Sequence, residues 1–334
     1  MFVTGTTRNI VASAAPVSRA TQPILSTAEL REDGKVRVLV GSGDRLSEKR
    51  LAPGGREVFS DHIYGPELVV VPSGRFDMGT DPALLAQFEG RLDLDVGLGR
   101  YECPPRCVTI GRPFAVATTP VTVKEFRRFA NETQRDIERG AFGYTSDMKL
   151  WNYVNQSWDN TRFKQDGSHP VTCVSALDCD DYIAWLREKT GISSYRLLSE
   201  AEWEYCCRAG TTTWYSCGEK LTHSTANFDA RVNFDKKDEG WREGTLPVKI
   251  FTANAWGLFQ MHGNVLEWCA DPWHEDYAGA PDTGRIWVGG HSKFRVIRGG
   301  SWWDAPWDLR SASRDCKQRD VRADYVGFRL ARDI

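Results

Sequence analysis

The sequence predicts an α+β domain with little regular secondary structure. Three helices announce themselves by their caps between positions 120 and 210, and helical periodicity then disappears. Short apolar runs and turns take up the remainder. Thirteen tryptophans and 30 glycines in 334 residues suit a loop-rich fold whose irregular segments are pinned by large rings.

Residues 1–66 lack sustained periodicity and read as an N-terminal extension without an assigned role. Within them Val36-Arg37-Val38-Leu39-Val40 predicts one short strand, closed by Gly41. The main domain, 67–334, opens on the apolar run Leu68-Val69-Val70-Val71, ended by the turn signal Pro72-Ser73-Gly74. Thr122-Val123-Lys124-Glu125 has the spacing of a capping box, and Phe126, Phe129 and Ala130 then share one helix face. Ser175-Ala176-Leu177-Asp178 opens a second helix that carries Tyr182, Trp185 and Leu186 inward and stops at Gly191. Ser199-Glu200-Ala201-Glu202 opens a third, with Trp203, Cys206 and Cys207 behind it and Gly210 as its stop.

Composition narrows the function classes. A hydrophobic content of 41% and a charged content of 26% are ordinary for a globular chain. The net charge of −2 leaves no electrostatic footprint for nucleic acid, so no nucleic-acid partner is expected. No run approaches the roughly 18 apolar residues of a membrane helix, so no membrane partner is expected. The start, Met1-Phe2-Val3-Thr4-Gly5-Thr6-Thr7-Arg8, lacks the basic and apolar regions of a secretory signal, which predicts a cytoplasmic protein. Nine cysteines, an odd number, are expected largely as free thiols there.

The cysteines and histidines lack metal spacing. Cys103-Pro104-Pro105-Arg106-Cys107 could supply half a zinc site, but zinc wants four ligands and no second pair stands at zinc spacing. Cys206 and Cys207 would point about 100° apart on a helix and read as small buried apolar residues. The six histidines, His62, His169, His223, His262, His274 and His291, include no pair three to five apart.

Several motifs then occur in a fixed order. They are Val71-Pro72-Ser73-Gly74-Arg75-Phe76-Asp77-Met78-Gly79, Pro120-Val121-Thr122, His169-Pro170-Val171-Thr172-Cys173-Val174-Ser175, and Arg196-Leu197-Leu198-Ser199-Glu200-Ala201-Glu202-Trp203-Glu204-Tyr205. Asn254-Ala255-Trp256-Gly257-Leu258-Phe259 and Gly263-Asn264-Val265-Leu266-Glu267-Trp268 follow, and then Arg298-Gly299-Gly300-Ser301-Trp302 and Val326-Gly327-Phe328-Arg329. Together they resemble the formylglycine-generating-enzyme family, also called the sulfatase-modifying-factor domain, over roughly residues 67 to 332. The resemblance implies a compact variant of the C-type lectin fold. Arg298 and Arg329 would offer donor forks to buried carboxylates such as Glu202 or Glu267.

The family's activity needs two cysteines a few residues after the Arg-Gly-Gly-Ser turn. They bind copper, which activates oxygen to turn a substrate cysteine into an aldehyde, and soft thiolates are what Cu(I) selects. Here the stretch Trp302 to Arg314 holds no cysteine, and Cys316 is alone beyond it, so no copper is expected. Related sulfoxide synthases draw iron histidines from a helical domain that has no counterpart here. A further relative tailors peptide siderophores without the cysteine pair, in the periplasm.

The resemblance also implies calcium, a cation that prefers carboxylate and carbonyl oxygen. One family site falls on Gln260, Gly263, Val265 and Glu267. The other falls on Asn227, Phe228, Glu239 and Trp241, with a one-residue shift. The alternative is that Glu267 pairs with an arginine.

Variable proteins of diversity-generating retroelements resemble this chain in the same C-terminal motifs. Their variable positions come from adenine replacement, mostly in Asn codons. A template reading Asn-Arg-Asn-Asn-Asn would yield Val321-Arg322-Ala323-Asp324-Tyr325. Asp304, Ala305, Asp308, Ser313, Asp315 and Cys316 also belong to the reachable set, with Trp302, Trp303, Trp307, Leu309 and Arg310 as a fixed frame. The expectation is a ligand-binding protein whose C-terminal surface takes a protein or small polar ligand through Trp303, Asp304, Ala305, Trp307, Asp308, Ser313, Asp315, Cys316, Val321, Ala323, Asp324 and Tyr325. The alternative is an oxygen-dependent or sulfoxide-synthase-like maturation enzyme of the same family with a non-standard active site.

Overall fold

The computed structural model describes residues 28–42, 45–86, 100–134, 140–144, 151–231 and 240–334. In chain order the strands are β1 (Ala28–Leu30), β2 (Val36–Ser42), β3 (Arg45–Leu51), β4 (Leu68–Val71), β5 (Gly74–Met78), β6 (Arg106–Ile110) and β7 (Phe114–Ala117). Helix α1 (Val123–Thr133) is followed by β8 (Ala141–Tyr144) and β9 (Trp151–Val154). Then come α2 (Ala176–Thr190), β10 (Tyr195–Leu197), α3 (Glu200–Arg208), β11 (Leu266–Trp273), β12 (His291–Arg298), β13 (Arg314–Gln318), β14 (Val326–Phe328) and β15 (Leu330–Asp333).

The three helices that the caps predicted start where the caps placed them. Thr122, Ser175 and Ser199 each accept from the third backbone amide, and Glu125, Asp178 and Glu202 each reach back to the cap. Two orphan donors per helix are thereby satisfied. Phe126, Phe129 and Ala130 of α1 are buried, as are Tyr182, Trp185 and Leu186 of α2. Gly191 caps α2 in the left-handed region at φ 70°. α3 ends one residue before the expected glycine, on Ala209 at φ 46°. It is buried on every side, including Glu200, Glu202, Glu204 and Arg208. A helix in the middle of a fold must pair such charges internally.

Two four-stranded sheets carry the domain. One runs β10-β15-β7-β4, and the other β13-β12-β11-β14, with β14 parallel to β11 and the other pairs antiparallel. The main core joins α1 and α2 to the ring cluster Tyr182, Trp268, Trp302 and Phe328. The short strand expected at Val36–Val40 is the middle of an antiparallel β1-β2-β3 sheet and reaches Ser42. Val36, Val38, Leu51 and Phe59 belong to that same core cluster, so the described part of the N-terminal segment packs on the main domain.

Candidate functional site

The site is built on the turn that follows β12. Backbone sterics make this turn: Gly299 and Gly300 both sit at positive φ, 102° and 68°. A Cβ on Gly300 would come within 2.4 Å of Leu309 Cδ1. The chain then runs through a 3-10 turn at Pro306–Leu309 and returns as β13. The Ser301 amide and hydroxyl donate to Asp304 Oδ2 at 2.8 and 2.7 Å and fix the entry.

Rings wall this stretch. Trp302 is fully buried and its indole N–H donates to the Asp324 carbonyl at 3.2 Å. Trp241 stacks on Trp302 with centroids 5.6 Å apart, meets Trp303 edge-on at 4.9 Å, and donates to the Trp302 carbonyl at 2.9 Å. Arg162 lies over the Trp302 ring and Arg231 over Trp241, at 4.9 and 4.3 Å. Trp303 and Trp307 remain half-exposed.

Three carboxylates gather on the outer side. Asp304 and Asp308 are half-buried and Asp315 is exposed. Burial, with the charge of Asp315, pushes Asp304 up to about 6. Burial, with the charge of Asp304, pushes Asp308 up to about 7. Partial desolvation by its neighbours also raises Asp315, although its residue is exposed and the Cys316 amide donates to it at 2.6 Å. Among the described residues the Asp308 carboxylate accepts only the Ala305 backbone amide, and the charge of Arg310 offsets its burial in part. Such a group holds its charge poorly and gains from any cation that approaches.

Buried arginine pairs support the stretch from below. Arg298 pairs with Glu204 and, at 3.3 Å, with Glu200. Arg314 pairs with Glu200 at 2.5 Å, and Arg310 with Glu102 at 2.6 Å. Arg329 holds Glu267 at 2.8 Å. The expected partners were therefore half right: Glu267 takes Arg329, whereas Glu202 takes Arg196 at 2.6 Å. Glu204 lies one helical turn from Glu200, and so these two reach Arg298 together.

Not every expected contact residue reaches the surface. Asp304, Ala305, Trp307, Asp308, Ser313, Cys316 and Val321 are half-exposed, as is Trp303. Ala323, Asp324 and Tyr325 are buried, which corrects their expected place on a recognition surface. Ala323 bridges to Phe142, and Asp324 accepts from Gln156 Nε2 and Arg162 Nε, both at 3.2 Å. Burial pushes Asp324 up to about 6 against the Arg162 charge. The segment just before Val326 is drawn inward because β14 pairs in the middle of the fold. Arg162, Arg231 and Gln156 were missed, since they approach from distant segments and share no motif.

The calcium expectation meets a carboxylate already in use. Glu267 accepts from Arg329 and from Trp203 Nε1 at 2.8 Å. Gln260 Oε1 accepts from Asn264 at 2.6 Å, and the Gly263 carbonyl accepts from the Val265 amide at 3.0 Å. A dication at Glu267 would face the Arg329 guanidinium, so this set does not fit calcium. At the second site Phe228 is buried among Tyr215, Leu221 and Leu309. Asn227 bonds Gly244 and Asn264, Trp241 belongs to the ring stack, and Glu239 lies outside the described residues. Among the described residues no group of three or more metal-ligating side chains stands together.

One further pair of side chains resembles a reactive couple without the required ionisation. Cys207 Sγ lies 3.7 Å from His262 Nε2. His262 accepts the Ser216 amide at Nε2 and donates from Nδ1 to the Leu309 carbonyl, and burial lowers it to about 4. Burial raises the Cys207 thiol to about 12, so the pair stays neutral. Cys316, in β13, is raised to about 11 by burial and Asp315.

The order of motifs has a counterpart in a known family. The model of the sulfatase-modifying factor enzyme 1-like domain matches residues 56–334. The chain belongs to this family. Its relatives include the inactive C-alpha-formylglycine-generating enzyme 2 of Mus musculus, 29% identical over 81% of this chain and 87% of that protein. The formylglycine-generating enzyme of Thermomonospora curvata is 32% identical over 80% of this chain and 93% of that protein. Among solved structures, PvdO from Pseudomonas aeruginosa aligns with a TM-score of 0.68 at 35% identity, over 84% and 99% of the two chains. Treponema denticola variable protein 1 aligns with a TM-score of 0.58 at 17% identity, over 83% and 99%, and shares the fold. The formylglycine-generating-enzyme fold is thus a C-type-lectin-like scaffold here, as the motifs implied.

Proposed function

We propose that this chain is a ligand-binding member of the formylglycine-generating-enzyme family. It takes a lysine- or arginine-bearing peptide on the stretch between Trp302 and Asp315. The reading is carried by Asp304 and Asp308, two half-buried carboxylates set close enough that the charge of Asp304 helps to raise Asp308, while Asp315 helps to raise Asp304. A cationic head group relieves that repulsion, and Trp303 and Trp307 supply rigid contact area. The absence of a cysteine from Trp302 to Arg314 removes the thiolate pair that copper chemistry requires. A relative named as inactive supports a family role without that oxidation.

Display selection of random peptides on the full chain tests the reading. Basic peptides should be enriched, and they should be lost with the double variant Asp304→Asn/Asp308→Asn. Peptides retained equally by both proteins would refute the site. The enzyme reading rests on the active relative. Oxygen consumption with a cysteine-containing peptide, together with tight stoichiometric Cu(I) binding, would establish it instead. A hypervariable surface is supported at the half-exposed Asp304, Ala305, Asp308, Ser313 and Cys316. A reverse-transcriptase gene and a near-identical repeat differing at template adenines, found beside the coding sequence, would support it, and the lack of both would remove it.

A further inference from the structure

A cavity of about 1030 Å³ borders the Trp302–Asp315 stretch through Ala312. Its size is that of a site for a drug-sized ligand. The β5–β6 ribbon makes one wall, and the C-terminal end of α3 with the turn beyond it makes another. Phe76, Tyr205 and Trp256 line it as a continuous row of rings. Phe76 and Tyr205 lie 5.2 Å apart at 44°, and Tyr205 and Trp256 lie 4.7 Å apart at 60°. The row is held close to the ribbon: a Cβ on Gly74 would come within 2.4 Å of the Tyr205 hydroxyl.

Arg106 lines the same cavity and differs from the buried arginines. Arg208, Arg298, Arg310, Arg314, Arg329 and Arg332 each pair with a carboxylate. Arg106 is half-buried and has no carboxylate partner among the described residues. Its two terminal nitrogens donate to the Pro281 carbonyl and to the Met78 sulfur, and its Nε is buried without a partner. Burial accordingly pulls its pKa down. The carboxylates that line the cavity, Asp77, Asp81 and Glu219, are exposed and solvated, so the half-buried charge is positive. A guanidinium half out of water gains most from a planar oxyanion that can meet its fork.

The geometry points to this cavity as a second binding site, for a small molecule that carries both a planar ring and a carboxylate. The carboxylate meets Arg106 and the ring packs on Phe76, Tyr205 and Trp256. The site is independent of the peptide surface proposed above.

N-acetyl-L-phenylalanine and its amide make a matched pair of probes for calorimetric titration of the full chain. The acid should bind at least tenfold more tightly than the amide. Arg106→Gln should bring the two to within threefold of each other, and Arg106→Lys should keep a preference for the acid. Thr212→Trp, on the exposed rim, should abolish binding of both probes. Equal affinity of acid and amide in the unmodified protein would overturn the proposal, as would unchanged binding to the Thr212 variant or no binding of either probe at millimolar concentration. If Arg106→Gln does not fold, the acid-to-amide ratio and the Thr212 variant still decide.

Discussion

At the scale of single residues, burial sets the chemistry. Asp308 is held up to about 7, so the folded chain binds its proton more tightly than the unfolded chain does. Its contribution to stability is present in full below about pH 4, the unfolded carboxyl value, and is lost as pH rises through about 7. Asp308→Asn should therefore raise the melting temperature, with a gain that grows from pH 5 to pH 8 and reaches on the order of 2 kcal/mol. Thermal melts of both proteins across that range check this, and a gain independent of pH would refute it. His262 acts in the opposite direction, since its neutral form is favoured in the fold and stability falls as pH drops from about 6.5 through about 4. Comparing the two proteins at each pH cancels that slope. Glu267→Gln removes one partner of a buried pair and should cost about 3–5 kcal/mol in chemical denaturation. The geometry at Glu267 predicts that millimolar calcium leaves the melting temperature of the unmodified protein unchanged. A rise that vanishes in Glu267→Gln would restore calcium to this site.

At the scale of elements, caps and turns do separable work. Helices α1, α2 and α3 each begin on a hydroxyl with a carboxylate three residues on, a local pattern that needs no tertiary partner. Ser199→Ala should cost about 1 kcal/mol, or somewhat more because α3 is buried on every side. The turn after β12 is less forgiving. Gly300→Ala combines a positive φ with a contact of 2.4 Å to the Leu309 side chain. It should destabilise by about 3 kcal/mol or more, since overpacking and backbone strain add. A loss below about 1 kcal/mol in denaturant titration would show that the 3-10 turn at Pro306–Leu309 moves easily. α3 links the two levels, because its acids hold the arginines of β12 and β13 and thus anchor the stretch above.

At the scale of the whole molecule, one scaffold carries two candidate faces. The carboxylate-rich stretch projects from the turn after β12, and the ring-lined cavity lies between the β5–β6 ribbon and the end of α3. The Asp304→Asn/Asp308→Asn variant should lose basic peptides and keep N-acetyl-L-phenylalanine. Arg106→Gln should do the reverse. Loss of both ligands in either variant would show one shared site.

The helices, the family and the missing thiolate pair were legible in the sequence because each rests on short-range order: a cap, a motif, a residue type at a given spacing. Trp302 as frame was legible for the same reason, since its ring follows directly on the Arg-Gly-Gly-Ser turn. The partners of Arg298 were not, because Glu200 and Glu204 come from a helix almost a hundred residues earlier. The burial of Ala323, Asp324 and Tyr325 was not legible either, because the parallel pairing of β14 with β11 draws that segment inward. Arg106 looked like part of a cysteine motif, and only the packing of ribbon against helix placed its guanidinium at a cavity with no carboxylate paired to it among the described residues. The sequence by itself determined the family motifs, the helix caps and the lack of a cysteine between Trp302 and Arg314. Tertiary structure decided which charges are paired inside the fold and which stay at its surface, because burial and pairing depend on segments far apart in the chain.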